Sequence, residues 1–306
     1  MTTRMGLAGV ILGAALLAFG GCSDDGNEKP TPTATAEASA SPAVPTATAV
    51  AAVTPAKATP TASQPATPAA EVAVAVYFVR DENVATAGRT VTAPAVARGA
   101  LEALLAGPSA AEKGAGMGSA IPAGTRLLGI TIEKGLATVD LSKEFTSGGG
   151  SLSMTTRVAQ VVYTLTQFDT VERVTIKIDG REVEGIGGEG VPAKDLTRDD
   201  FRDNTPLILV ETPLPGQEVG TEIRVEGESN TFEASISWEV RDGAGKVVRE
   251  GFATATSGTG TWGTFAFTIE LPRMDTGPMT LVLFERSARD GSPVNVYQVP
   301  LKQVAK

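Results

Sequence analysis

Leu127-Leu-Gly-Ile-Thr-Ile-Glu-Lys-Gly-Leu-Ala-Thr-Val-Asp-Leu141 reads as two strands, residues 127–133 and 136–141, joined by a tight turn at Lys134-Gly135. Upstream, Val72-Ala-Val-Ala-Val-Tyr-Phe-Val79 is apolar throughout, as in a central strand. Pro94 then opens a helix that residues 95–105 continue, with Val96, Ala100, Leu101, Leu104 and Leu105 on one face. Gly107-Pro108 stops it. Downstream of the hairpin, Gly148-Gly-Gly150 is a loop, and Ser151 or Ser153 caps the next helix. Val158, Val161, Val162, Leu165 and Phe168 give that helix its apolar face. A last strand, residues 171–178, ends at Asp179-Gly180. The order β-α-β-β-α-β is the split βαβ arrangement, with two helices on one face of a sheet.

A second folded region follows a polar, acidic segment at residues 197–204, which reads as interdomain. From Leu207 onward seven short strands are expected, at residues 207–211, 221–226, 231–240, 246–255, 263–271, 279–286 and 294–301. Turns at Pro213-Leu-Pro-Gly216, Asp242-Gly-Ala-Gly245 and Asp290-Gly291 separate some of them. Seven such strands without an intervening helix predict an immunoglobulin-like β-sandwich, so the fold class is α+β. The chain's single cysteine rules out an intrachain disulfide, and the sandwich rests on apolar packing. Trp238, Phe252, Phe265, Phe267 and Phe284 are its expected aromatic contributors.

Several phrases go beyond pattern. Val76-Tyr-Phe-Val79, Leu104-Leu-Ala-Gly-Pro108, Ile121-Pro-Ala-Gly-Thr125, Ala137-Thr-Val-Asp-Leu-Ser142, Thr164-Leu-Thr-Gln-Phe168 and Val174-Thr-Ile-Lys-Ile-Asp-Gly180 stand in the order and spacing of a GerMN domain. That module is named from sporulation and spore-germination proteins, and the resemblance covers residues 72–185. It implies a small α/β module similar to the ring-building folds of envelope assemblies. It implies no enzyme, because the family offers no catalytic residues to carry over. Thr212-Pro-Leu-Pro-Gly-Gln-Glu-Val219, Val225-Glu-Gly227, Thr231-Phe-Glu233 and Ala288-Arg-Asp-Gly291 resemble the immunoglobulin-like module that follows GerMN domains in spore-germination proteins. Each phrase also has a plain reading. Phe145 and Phe168 are core, and Asp140 and Ser142 bond to local backbone N–H groups. Glu233 is either a contact to a partner or a carboxylate that caps or pairs within the sandwich, and the second reading is preferred.

The start of the chain reads differently. Arg4, an apolar run from Leu7 to Phe19, then Gly20-Gly21-Cys22 describe a signal peptide of residues 1–21. Phe19-Gly20-Gly21-Cys22 resembles a bacterial lipobox, which implies lipidation of Cys22 and anchoring to the outer face of the cell membrane. Residues 22–70 are dominated by Ala, Thr, Pro and Ser and are expected to form a disordered tether. The expected domains are therefore 71–196 and 205–306.

Chemistry is scarce. The chain has no histidine, which removes the commonest general base and every His-ligated zinc site. A net charge of −9 gives no footprint for nucleic acid. Gly185-Ile-Gly-Gly-Glu-Gly190 fits G-x-G-x-x-G, but Pro192 follows where a dinucleotide site needs a helix, so it reads as a flexible loop. Asp199, Asp200 and Asp203 read as solvated surface rather than a calcium site. No catalytic residue, cofactor or metal is expected. The functional expectation is a non-enzymatic, membrane-anchored interaction or assembly module of the cell envelope with an envelope protein as partner. The alternatives are a peptidoglycan- or solute-binding lipoprotein and a wall hydrolase.

Overall fold

The computed structural model describes residues 70–305 except Glu189, Arg273 and Met274. The signal-peptide and tether readings, Cys22 included, lie outside the described residues. The fold is α+β, a mixed helix-and-sheet unit followed by an all-β sandwich.

β1 (Glu71–Arg80) and β2 (Asn83–Thr92) form a hairpin paired along its whole length, with Arg80 opposite Asn83 and Glu71 opposite Thr92. The turn residues Asp81 and Glu82 both take positive φ, 51° and 65°, as a two-residue hairpin turn of matching twist requires. Sequence reading passes over β2, whose Ala85, Thr86 and Ala87 carry little bulk. All three are buried, and their small size lets neighbouring elements approach closely. α1 (Val96–Ala106) and α2 (Ala110–Gly114) follow. Pro94 does not open α1. The N-cap is Ala95, and Pro94 lies before it with its carbonyl accepting from the Val96 N–H. Gly107, at φ 82°, ends the helix as expected.

β3 (Leu127–Glu133) and β4 (Gly135–Leu141) make the expected hairpin, with Lys134 and Gly135 at φ 50° and 79°. α3 (Ser151–Leu165) crosses over to β5 (Val171–Ile178), which lies parallel to β4. With β6 (Arg181–Glu182) the sheet order is β3-β4-β5-β6. Neither Ser151 nor Ser153 caps α3. Its N-cap is Gly150, Ser151 and Ser153 both lie inside the helix, and the Ser153 hydroxyl accepts from Arg157 instead.

β1 is not a central strand of this sheet, because its strand partner is β2. Its other edge is held by side chains of α3. Gln160 Nε2 donates to the Tyr77 carbonyl at 2.9 Å, and the Tyr77 N–H donates to Thr164 Oγ1 at 3.2 Å. The Ala75 N–H donates to Gln167 Oε1 at 2.8 Å, and Gln167 Nε2 returns to the Ala75 carbonyl at 2.7 Å. Beyond them, Val79 and Gly118 exchange backbone bonds of 2.9 and 2.7 Å. Gln160 and Thr164 lie on one helical face, and Gln167 continues it past the C-cap Thr166. α3 therefore does the work of a neighbouring strand for β1.

Arg157, in the middle of α3, is 2% exposed and faces no carboxylate. Its guanidinium donates to the carbonyls of Phe145, Ser147, Gly148 and Ser153 and to Ser153 Oγ. Burial lowers its pKa, and the ring of carbonyl dipoles replaces the water it lost. The loop before α3 is thereby tied to the helix it enters.

β7 (Gly185–Ile186) and β8 (Val191–Pro192) form a short hairpin, and a 3-10 helix at Arg198–Asn204 leads into the sandwich. There, β9 (Ile208–Thr212), β11 (Glu222–Ser229) and β14 (Gly263–Glu270) make one sheet in the order β14-β11-β9. β10 (Glu218–Val219), β12 (Ser235–Asp242), β13 (Val247–Thr254), β15 (Gly277–Arg286) and β16 (Pro293–Gln303) make the other, in the order β10-β16-β15-β12-β13. All seven expected strands are present, and β10 is added. Trp238 stacks on Phe267 at 6.0 Å, and Phe265 and Phe284 are buried. Phe252 is not core: it is 78% exposed on β13. Register explains this, since Phe252 lies opposite Ser237, whose neighbours Ile236 and Trp238 take the inward positions. Gly227 sits where an added Cβ would lie 2.0 Å from the Leu209 carbonyl, so only glycine lets β9 and β11 pair here.

Arg89 of β2 clamps Glu112 of α2 with two bonds, 2.6 and 2.7 Å. Glu112 also closes a capping box with Ser109. The Arg89 guanidinium holds the Glu112 carboxyl down at about 2, against a usual 4.5.

Two outcomes are expected. Thr164→Val keeps the shape but leaves the buried Tyr77 N–H without its acceptor. It should cost about 2 kcal/mol, lowering the midpoint of thermal unfolding by about 6 °C, while Thr164→Ser should cost far less. Second, the stabilisation from Glu112 is complete above its unfolded value near 4.5 and is lost as pH falls toward about 2. Glu112→Gln should therefore lower stability at neutral pH and flatten the pH dependence of unfolding free energy across that window, as read by urea titrations.

Candidate functional site

The hairpin β1–β2 has two covered faces. Val76, Phe78, Ala85 and Ala87 share one, toward the helices. Ala75, Tyr77, Thr86 and Gly88 share the other, toward the sandwich. Thr86 Oγ1 donates to the Val210 carbonyl at 3.2 Å and lies 3.0 Å from the Tyr297 hydroxyl. A Cβ on Gly88 would lie 3.2 Å from the Pro215 carbonyl, so glycine sets how closely the two units approach. One apolar core accordingly runs from Val76 and Val162 through Val210 to Trp238 and Leu283 without a break.

Around this seam stands a polar cluster. Arg198, 13% exposed, donates through Nε to Thr166 Oγ1 at 2.8 Å, and its two terminal nitrogens pair with Glu228 at 2.5 Å and Glu211 at 2.8 Å. Arg202 also pairs with Glu228 and lies 4.7 Å from the Trp262 ring centre. The Tyr77 hydroxyl donates to Glu211 at 2.5 Å, and the Tyr163 and Thr205 hydroxyls are 2.6 Å apart. Burial opposes the charge on Glu228, but Arg198 and Arg202 outweigh it and hold its carboxyl below the usual range. Burial, with the nearby Glu211 charge, pushes the Tyr77 hydroxyl well above its ordinary value. Two guanidiniums thus meet two half-buried carboxylates, and Arg198 spends every nitrogen on them and on Thr166. Such a cluster fixes two surfaces against each other. A polar cleft of about 540 Å³ opens beside it, lined in part by Tyr77, Gln167, Arg198, Glu211 and Gln217.

The segment 197–204 is therefore no mere linker. Asp200 caps its own helix through Thr197, and Asp199 pairs with Arg202 at 2.8 Å. Among the described residues no group of three or more His, Cys, Asp or Glu side chains stands close enough to hold a metal. Sequence reading missed Arg198 and Arg202, which lie in a 3-10 helix interrupted at Phe201 and carry no periodic signal. Nothing local marks Glu211, Glu228 or Tyr297 as their neighbours.

The remaining candidate positions fall as follows. Residues 185–190 join strand to strand rather than strand to helix, with Ile186 fully buried, so the stretch is a pinned hairpin and not a free loop. Asp140 accepts from the Gly180 N–H at 2.9 Å and Ser142 from the Arg126 N–H at 3.0 Å, both across strands rather than locally. Phe145 is fully buried, and Phe168 packs against the core. Glu233 neither caps nor pairs within the sandwich. It is exposed at φ 52°, with Ala234 at 55°, and its carboxylate has no partner among the described residues. Its N–H donates to Thr259 Oγ1, and the Phe232 N–H donates to Glu285, which holds the turn in this conformation. Phe232 beside it is 54% exposed. Among the described residues no helix is long and apolar enough to cross a membrane.

Residues 75–184 match the family model described as Germane, sporulation and spore germination. Residues 207–292 match Gmad2, the immunoglobulin-like domain of bacterial spore germination. Among solved structures, the first GerMN domain of the sporulation protein GerM from Bacillus subtilis is 28% identical, over 42% of this chain and 98% of that one, at a TM-score of 0.34. The tandem GerMN domains of the same protein are 20% identical, over 76% of this chain and 61% of that one, at a TM-score of 0.36. No curated protein matches the chain.

Arg198→Met leaves Glu211 with the Tyr77 hydroxyl alone and Glu228 with Arg202 alone. The expected loss is about 3 kcal/mol, measured by urea unfolding, and Arg198→Lys should not restore it because one ammonium cannot bridge three acceptors.

Proposed function

Starting from a chain that carries a GerMN domain followed by the Gmad2 immunoglobulin-like domain, we propose that it works without catalysis, as an interaction and assembly module. On this reading it is held at the outer face of the cell membrane by a lipid on Cys22. Both domains belong to sporulation- and germination-associated families, and neither family is a known enzyme family. The observation that carries the reading is the single apolar core shared by the two domains. Separate modules on a linker move independently, and their interfaces are small and polar. Here the seam is apolar at its centre and cross-linked by Arg198, Glu211 and Glu228. The pair is therefore presented as one stiff body. A stiff body fixes the distance and angle between the surfaces its two domains offer, which is what an assembly part needs.

A second reading, binding of a solute or wall glycan, draws on the polar cleft beside Tyr77 and Gln167. The side chains lining it are largely engaged with one another, which favours the first reading.

In-cell crosslinking of the full chain, followed by mass spectrometry, tests the assembly reading. A reproducible envelope protein is the expected product, and wall fragments without any protein would favour glycan binding. Cys22→Ala should move the protein from the membrane fraction to the soluble one, and its retention on membranes would remove the anchor.

A further inference from the structure

β13 is the outermost strand of its sheet, with β12 as its one ladder neighbour. The Ala255 N–H donates to the Ala234 carbonyl, in register with the β12–β13 ladder. In an antiparallel ladder every second residue turns its backbone groups toward the neighbour. Counting back from Ala255, residues 253, 251 and 249 face β12. Glu250, Phe252 and Thr254 then turn their N–H and C=O groups to the open edge, and none of these groups has a partner among the described residues.

On the outer face, Val247, Glu250 and Phe252 are apolar or acidic. Phe252 is 78% exposed and Val247 38%, and both lie on the outer face, opposite Ser237 and Arg241. Between them Glu250 projects from the same face, opposite Glu239. Arg241 neutralises Glu239 at 2.8 Å, but the Glu250 carboxylate has no ion-pair partner among the described residues. Native proteins protect open edges with charges, bulges and twists. Here the irregularity near Val240 and Arg241 interrupts the start of β13 and leaves residues 250–254 regular.

We propose that the open edge of β13 is a docking site for an extended segment of a partner protein, one that carries an apolar residue and a lysine or arginine two positions apart, on the same face of the strand. Main-chain bonds to Glu250, Phe252 and Thr254 supply affinity, as in other strand additions. Apolar side chains of the added strand cover Phe252, and a basic one answers Glu250. A second copy of this chain fits poorly through the same edge. The basic residue within β13 is Arg249, and it lies on the other face, opposite Val240. No face-matched pairing of two β13 strands therefore sets it against Glu250. The proposal rests on the assembly reading above and names its surface.

Hydrogen exchange on the full chain tests it, with the peptide Thr-Lys-Thr-Val-Thr-Lys-Thr-Val as lysine probe, its lysines and valines on one face, and the same peptide with glutamate in place of lysine as control. The lysine peptide should slow exchange at the amides of Glu250, Phe252 and Thr254 by about tenfold, and the glutamate peptide should not. Glu250→Lys, an exposed change that leaves the core untouched, should reverse the preference. Equal slowing by both peptides, slowing at the β3 edge instead, or none at millimolar peptide would overturn the proposal. Capture of an envelope protein in cells with β13 unprotected would remove this edge and leave the assembly reading standing.

Discussion

The backbone of β1 needs partners on two sides, and only one is a strand. Gln160, Thr164 and Gln167 supply the other from the α3 region. A buried N–H or C=O left without a partner costs about as much as several good contacts contribute, so the two elements cannot separate. That bond fixes where the β1–β2 hairpin sits. The hairpin in turn offers Tyr77, Thr86 and Gly88 to the sandwich. α3 is buried nearly all round as a result, and its polar side chains have taken specific jobs. Arg157 ties down the preceding loop, and Tyr163 reaches Thr205.

The seam shows how the charge distribution of a strongly acidic chain is used. Arg198 and Arg202 gather Glu211 and Glu228 at the seam, and they hold Glu228 charged although its burial opposes that charge. Such a cluster adds less net stability than its short distances suggest, because each charge has given up its water. What it contributes is geometry, since this arrangement of the two domains brings all four groups together. The apolar core beneath supplies the affinity, and the ion pairs set the orientation. Those half-buried pairs and the exposed β13 edge are different uses of the same residue types. Glu228 is consumed by structure, while Glu233 and Glu250 remain free to meet something else.

Much of this was legible in the sequence. Strand–turn–strand at Lys134-Gly135, the stop at Gly107, and the seven strands of the sandwich follow from local rules of periodicity and turn chemistry, which act over a few residues. The phrases that mark the two domains were equally visible. β2 was not, because its Ala and Thr residues lack the bulk that announces a strand. Phe252 was misread inward, because periodicity says that a residue alternates but not which side of the sheet faces the core.

The sequence by itself determined the elements, their order and the families of both domains. The tertiary structure decided what covers residues 74–78, the buried part of the apolar run. The continuous run is not a central strand of a large sheet. It is a hairpin strand with helices on one face and a second domain on the other. A residue's neighbours across 134 positions, as Tyr77 and Glu211 are, leave no trace in local pattern. Burial on both faces looks the same in one dimension whatever supplies it, and only packing tells a neighbouring strand from a helix side chain.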